Sequence, residues 1–138
     1  MDTLRPPGGT LKASAAPFRI LVVEDQPELR RLICMSLDEP GFELYEAPNG
    51  DHAAALIAEC RPDAVVLDVM MPGAIDGLSL CRSIRANPAT AGIRVALLSA
   101  RGQQDDRERG VQAGADAYLV KPFSPMELLE LVRRWSGA

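Results

Sequence analysis

The stretch "VVLDVMMP", residues 65–72, decides how this chain is read. A run of apolar residues, Ala64 to Leu67, ends at a lone carboxylate, Asp68, and apolar residues resume at once. An acid with a purely structural role sits at a helix cap or on a solvated face. An acid held out on a buried apolar strand suits a group that must meet something. What it meets has to come from the rest of the chain.

Outward from Asp68, apolar strands alternate with amphipathic helices. "RILVVED" (19–25) reads as a fully apolar strand ending in acids. "PELRRLICMSLDE" (27–39) carries Leu29, Leu32, Ile33 and Leu37 on a helical stripe, with Pro27 suited to its first turn. "GFELYEA" (41–47) alternates like a shorter strand, and Asn49 is placed to cap a helix through Cys60 with Ala53, Leu56, Ile57 and Cys60 on one face. "DAVVLD" (63–68) is the next strand, followed by a helix over 77–86 and the strand "IRVALLSA" (93–100). A polar helix over 103–113, the short strand "DAYLV" (116–120) and a final helix ending near Trp135 complete the series. Ser124, Pro125 and Glu127 read as a capping box opening that last helix. The rhythm predicts an α/β fold, a doubly wound five-stranded parallel sheet with helices on both faces. Ligands of such a sheet bind at the carboxyl ends of its strands.

Composition sets the outer bounds. The chain has 138 residues, 47% hydrophobic and 25% charged, which suits one globular domain. Residues 1–17, rich in Pro, Gly and small residues, read as a flexible tail, so the folded domain is expected over 18–136. A formal net charge of -4 argues against a nucleic-acid surface. Cys34, Cys60 and Cys81 are too scattered for a metal site and read as buried free thiols of a reducing compartment. With no signal peptide and no apolar run near the ~18 residues of a membrane span, the cytoplasm is the expected location. His52, the only histidine, reads as a solvated helix residue.

The last residues of the strands carry the chemistry. The first strand supplies Glu24 and Asp25, the third Asp68, the fourth Ser99 and the fifth Lys121, while the second supplies only Ala47. Close carboxylates repel, so some should have raised pKa values unless a cation relieves them. Mg2+ fits, since it takes a few carboxylates and accepts phosphate oxygens. Asp68 is then the candidate nucleophile, because carboxylates form acyl phosphates. Lys121 would neutralise one phosphoryl oxygen and Ser99 would donate to another. Taken singly, Glu24 and Asp25 also read as helix caps, Lys121 as a surface lysine and Ser99 as a turn hydroxyl; their joint placement argues against that.

From Phe18 to Trp135 the chain resembles the receiver domain of bacterial two-component response regulators. "VVED", "LDVMMP", "DG" at Asp76–Gly77, "LLSA" and "GADAYLVKPF" carry the resemblance, in order. It implies a flavodoxin-like sheet of strand order 2-1-3-4-5 and a phosphoacceptor switch. A histidine kinase or histidine phosphotransfer protein would donate a phosphoryl group to Asp68 in a Mg2+-dependent reaction catalysed by the receiver itself. Glu24, Asp25, Asp68 and the backbone carbonyl of Met70 would hold the metal. Ser99 would move toward the phosphoryl group and Tyr118 would turn inward, reshaping the face made by the fourth helix, fifth strand and fifth helix. Tyr118 also reads simply as a packed strand aromatic, and Phe123 and Trp135 as packing or partner-contact residues. A downstream protein would read that face, without direct nucleic-acid or membrane binding, and the resemblance leaves open a homodimer formed on phosphorylation. The thin apolar stripe of 101–113, with Val111 its only large aliphatic and Gly102 and Gly110 within it, predicts a weakly anchored fourth helix.

Departures from the family pattern carry their own expectations. The loop after Pro72 has one extra residue within 73–75, beside the site. Glu24 replaces the commoner Asp, and Ser99 the commoner Thr. Met70 and Arg101 hold the variable positions that influence dephosphorylation, and neither can orient water as a carboxylate or amide would, so a long-lived phosphoryl state is expected. No helix-turn-helix follows Trp135, which fits a free-standing receiver or a piece of a longer regulator, while Met1 and the tail favour a natural N-terminus. Three other functions are open to a sheet of this kind. A phosphohydrolase with an Asp nucleophile needs a second acid two residues on, where Met70 stands. A nucleotide or flavin binder needs a glycine-rich phosphate cradle, and "EDQPE" has none. A phosphorylation-independent receiver-like scaffold is the remaining alternative.

Overall fold

The computed structural model describes residues 16–71, 73, 75–100 and 104–137. The readings made for the tail up to residue 15, Pro72, Arg101 and Gly102 lie outside the described residues. Ten elements alternate: β1 (Phe18–Val23), α1 (Pro27–Ser36), β2 (Phe42–Ala47), α2 (Gly50–Cys60), β3 (Ala64–Asp68), α3 (Gly77–Ala86), β4 (Arg94–Ser99), α4 (Gln104–Ala113), β5 (Ala117–Val120) and α5 (Pro125–Ser136). The strands form one parallel sheet in the order β2-β1-β3-β4-β5.

The unbroken apolar runs of β1, β3 and β4 follow from burial on both faces. Leu21 and Val23 join Val65, Leu67, Val95 and Leu97 in a cluster under α2, α3 and the end of α4. Their neighbours Ile20 and Val22 face the other way, meeting Val66, Leu98, Ile33 and Leu37 of the α1 side, and Leu128 and Val132 of α5. A strand with period two buried on both sides has no position left for a polar residue until it ends. Phe123 and Trp135 pack against this second cluster.

Local signals set the helix starts. Asn49 Oδ1 accepts the His52 amide at 2.8 Å, Asp76 Oδ1 accepts the Ser79 amide at 2.8 Å, and Ser124 Oγ accepts the Glu127 amide at 3.3 Å. The start of α1 differs: Gln26 stands at its N-cap without a side-chain cap, and Pro27 begins the helix.

Several expectations are corrected. The first helix stops at Ser36 rather than running to 39, because Leu37 closes back on Ile33 and Cys34 before Pro40 bars the helix. Leu32 lies off the buried stripe and is exposed. Among the cysteines only Cys81 is buried; Cys34 and Cys60 are half-buried. Val111, the only large aliphatic in the thin stripe read for α4, is 69% exposed and adds nothing to its anchoring. The helix docks instead through small residues: Gly110 and Ala113 are buried, and Cys81 Sγ lies 3.4 Å from the Ala113 carbonyl. A Cβ on Gly110 would stand 2.9 Å from Leu97 Cδ1, so the missing side chain is what lets α4 approach β4. No helix among the described residues is long and apolar enough to cross a membrane.

Candidate functional site at the carboxyl edge of the sheet

Parallel strands end together, and here their ends hold all five expected groups. The register pairs Val23 with Leu67 and Asp68 with Leu98, which brings Glu24, just past the end of β1, level with Asp68 on the neighbouring strand and places Ser99 one residue beyond the partner of Asp68 on β4. One carboxylate oxygen each from Glu24, Asp25 and Asp68 lies within 4.8 Å of the others. Glu24 and Ser99 have no exposed surface, Asp68 is 4% exposed, and Asp25 is half-buried.

Lys121 completes the group from β5. Its backbone amide donates to the Ser99 carbonyl at 2.7 Å, which fixes the residue at the edge. Its ammonium then reaches Glu24 Oε1 at 3.2 Å and Asp68 Oδ2 at 3.3 Å. The other carboxylate oxygens are met by backbone amides: Gln26 N–H donates to Glu24 Oε2 at 3.3 Å and Met70 N–H to Asp68 Oδ1 at 3.2 Å. Glu24 is therefore no cap of α1; its carboxylate turns into the site.

These contacts do not offset the lost hydration. Burial, and then the Asp68 charge, push the Glu24 carboxyl up to about 7, although Lys121 opposes the shift. Burial likewise raises Asp68, against the pull of Lys121 and the Met70 amide, while the Asp25 charge contributes least. The sequence pointed to mutual repulsion as the cause; desolvation leads at both residues, with repulsion behind it.

The glycine of the Asp76–Gly77 pair has a physical reason. Gly77 N–H donates to the Val69 carbonyl at 3.1 Å, drawing α3 against the end of β3. A Cβ there would stand 2.8 Å from Val69 Cα and closer still to the Asp68 carbonyl oxygen. In the 73–75 loop, Ile75 turns back onto α2, where a Cβ on Gly50 would lie 2.8 Å from its own Cβ.

The remaining expected residues are peripheral to the carboxylates. Met70 follows Asp68 with its side chain 66% exposed. Tyr118 pairs with Leu97 in the sheet, two positions before the Ser99–Val120 pair, and is half-buried against the larger core cluster. The Arg107 guanidinium carbon lies 5.7 Å from the Tyr118 ring centroid. One residue absent from the sequence reading also belongs here: Arg30 donates through Nη1 to the Glu24 carbonyl at 2.8 Å. Arg30 and Arg31 stand side by side in "ELRRL", and nothing in that string tells them apart.

Comparison with known proteins agrees with this geometry. Residues 20–133 match the sequence profile of the response regulator receiver domain. The chain is 41% identical over 115 residues to the phosphate regulon transcriptional regulatory protein PhoB of Escherichia coli K12, covering 83% of this chain and 50% of that protein. It is 44% identical over 115 residues to the transcriptional regulatory protein ResD of Bacillus subtilis 168, covering 83% of this chain and 46% of that protein. The chain thus spans about half the length of these curated relatives. Among solved structures, a putative response regulator from Chloroflexus aurantiacus superposes with a TM-score of 0.82 at 34% identity, covering 88% of this chain and 99% of that one. The receiver domain of the sensor histidine kinase PA1611 from Pseudomonas aeruginosa PAO1, solved with magnesium coordinated in its active-site cleft, superposes with a TM-score of 0.78 at 35% identity over 89% of this chain and all 100% of that one. A five-stranded 2-1-3-4-5 sheet with this carboxylate group at its edge, and a profile match across most of its length, make this chain a member of the response regulator receiver domain family.

Proposed function

We propose that this chain is a phosphoacceptor signalling switch whose receiver unit spans residues 18–136. Asp68 accepts a phosphoryl group from a phosphohistidine on a histidine kinase or histidine phosphotransfer protein. A carboxylate oxygen of Asp68 bonds to phosphorus as the phosphorus–nitrogen bond breaks, and the electron pair leaves with the donor's imidazole. The product is an acyl phosphate on Asp68. The observation that carries this reading is the convergence of Glu24, Asp25 and Asp68 within 4.8 Å, with the Lys121 ammonium bonded to two of them.

The donor set fits a magnesium ion: a few hard oxygens, two of them on buried carboxylates that ionise reluctantly without a cation. Glu24, Asp25, Asp68 and the Met70 backbone carbonyl would hold it. Bound there, the ion supplies positive charge to the oxygens of the phosphoryl group. Lys121 gives a second positive charge on the strand-five side, and the Ser99 hydroxyl donates a hydrogen bond. The chain catalyses only its own phosphorylation and dephosphorylation.

The signal leaves through α4, β5 and α5. Val111, Val120 and Met126, one from each element, are all exposed, which suits a protein-docking face. Ser99 and Tyr118 link that face to Asp68: Ser99 shifts toward the new phosphoryl oxygens and Tyr118 turns inward behind it. The reader is a downstream protein or a second phosphorylated copy, and the setting is the cytoplasm. Nucleic acid is not contacted by this unit.

Incubation with acetyl phosphate and magnesium, read by intact mass, tests the reading. A phosphoryl adduct that is lost with EDTA and lost in Asp68→Asn supports it. No adduct on the wild type overturns it in favour of the phosphorylation-independent scaffold.

A further inference from the structure

Glu24 is the last residue to which the sheet supplies partners on the β1 side of the site. Its amide donates to the Ala47 carbonyl at 3.1 Å, and the chain then leaves the sheet for α1. Gln26 and Lys121 hold its carboxylate. Its backbone carbonyl, buried with the residue, is met by a side chain, Arg30 Nη1, at 2.8 Å. The same guanidinium turns its Nε to Glu46 Oε1 on β2 at 3.1 Å and is only 19% exposed. The Arg30 amide closes the first turn of α1 on the Gln26 carbonyl at 2.9 Å. One planar fork therefore ties the end of β1, the start of α1 and the edge strand. This is the one helix among α1, α2, α3 and α5 whose N-cap residue makes no side-chain cap, so the turn holding both acids lacks the usual local fastening.

We propose that Arg30 is a positioning residue for the acidic pair. The Glu24 carbonyl carbon is bonded directly to the Asp25 nitrogen, so the grip on that carbonyl sets the direction in which the chain departs and where both carboxylates stand. The inference rests on the reading of Glu24, Asp25 and Asp68 as a metal-dependent phosphoacceptor site. The Glu46 ion pair by itself adds little, because Glu46 is half exposed. Its role is to keep the fork aimed at the carbonyl. Arg31, exposed on the same helix, serves as the matched control.

Magnesium titration by calorimetry, with backbone amide NMR of the metal-free protein, tests the proposal. Arg30→Met is expected to weaken magnesium binding about tenfold, as loss of a group that orients metal ligands commonly does. It should also move the Asp25 and Gln26 amide resonances and slow phosphorylation at limiting but not saturating magnesium. Arg30→Lys should recover part of the affinity, and Arg31→Met should match the wild type. Wild-type affinity in Arg30→Met, or an equal loss in Arg31→Met, overturns the proposal. Should Arg30→Met not fold, Glu46→Gln keeps the carbonyl contact while freeing the fork, and a smaller loss in the same direction is expected; an unchanged affinity there overturns it. If the wild type binds no magnesium, the site reading itself fails, and the amide shifts alone then decide whether Arg30 holds the turn.

Discussion

Lys121 Nζ lies 3.2 Å from Oε1 of Glu24, a side chain with no exposed surface, and bonds Asp68 Oδ2 from the same position at 3.3 Å. In the metal-free protein this ammonium is the internal counter-ion of the site. One positive charge facing several carboxylates leaves an excess of negative charge in a poorly hydrated place. The arrangement suits binding of a cation and costs stability until one arrives.

The pH dependence of stability follows. The Glu24 carboxyl titrates at about 7 in the fold against 4.5 for the ordinary group. Below the ordinary value both folded and unfolded chains carry the proton, and nothing is lost. Between the two values the unfolded chain releases it while the fold keeps it, so stability falls as pH rises and levels off above the folded value. The drop from this residue is on the order of 3 kcal/mol. Asp68, also raised, adds in the same direction. Urea unfolding without metal from pH 4.5 to pH 8 should show the decline, and Glu24→Gln should flatten it. Magnesium, which prefers the ionised acids, should bind more tightly as pH rises across this window.

A second prediction contrasts two glycines. At Gly77 a methyl group would press on the Asp68 carbonyl oxygen and lie 2.8 Å from Val69 Cα, both backbone atoms that cannot swing aside. Gly77→Ala is expected to cost about 1–3 kcal/mol, the usual range for overpacking, and to lower phosphorylation by shifting the end of β3. At Gly92 nothing lies within 4 Å of the added carbon, and Gly92→Ala should leave both nearly unchanged. Denaturant midpoints and adduct yields on the pair check this.

The fourth helix shows where sequence reading stops. The apolar runs of β1, β3 and β4 were legible because burial on both faces leaves no polar position within them, and the site was legible because parallel strands finish at one edge. Strand order came from the family resemblance rather than from any residue. A stripe of large aliphatics was the wrong thing to look for in α4, since Gly110 and Ala113 bury while Val111 does not. Contact through small residues leaves no mark in a hydrophobic pattern, only in the distance between backbones. Arg30 is illegible in the sequence for a similar reason: Arg31 is its twin there, and only the carbonyl it reaches separates them. Val111→Ser should accordingly change stability by less than about 0.5 kcal/mol, whereas Ala113→Leu should cost about 1–3 kcal/mol through overpacking. Equal effects in thermal or urea unfolding would show that Val111 packs as tightly as Ala113.

The last prediction separates the two sides of the central ion pair. Asp68→Asn removes one buried negative charge and keeps an oxygen for the Met70 amide, now 3.2 Å from Oδ1. Lys121 retains Glu24 as its partner. At pH 8 without metal the variant should be more stable than the wild type by about 1 kcal/mol, while accepting no phosphoryl group. Lys121→Met does the reverse: it strands the ionised acids, so the metal-free protein should lose about 2–4 kcal/mol at pH 8 and much less at pH 4.5, where Glu24 carries its proton. In the double variant the loss should be smaller than in Lys121→Met alone, because one of the stranded charges is already gone. A double-mutant cycle from urea unfolding gives that coupling directly. Added magnesium should shrink the Lys121→Met penalty, since the ion takes over the charge that the ammonium supplied. A coupling near zero would mean that Lys121 and Asp68 are merely close, and that the stability cost of the site lies in desolvation of Glu24 alone.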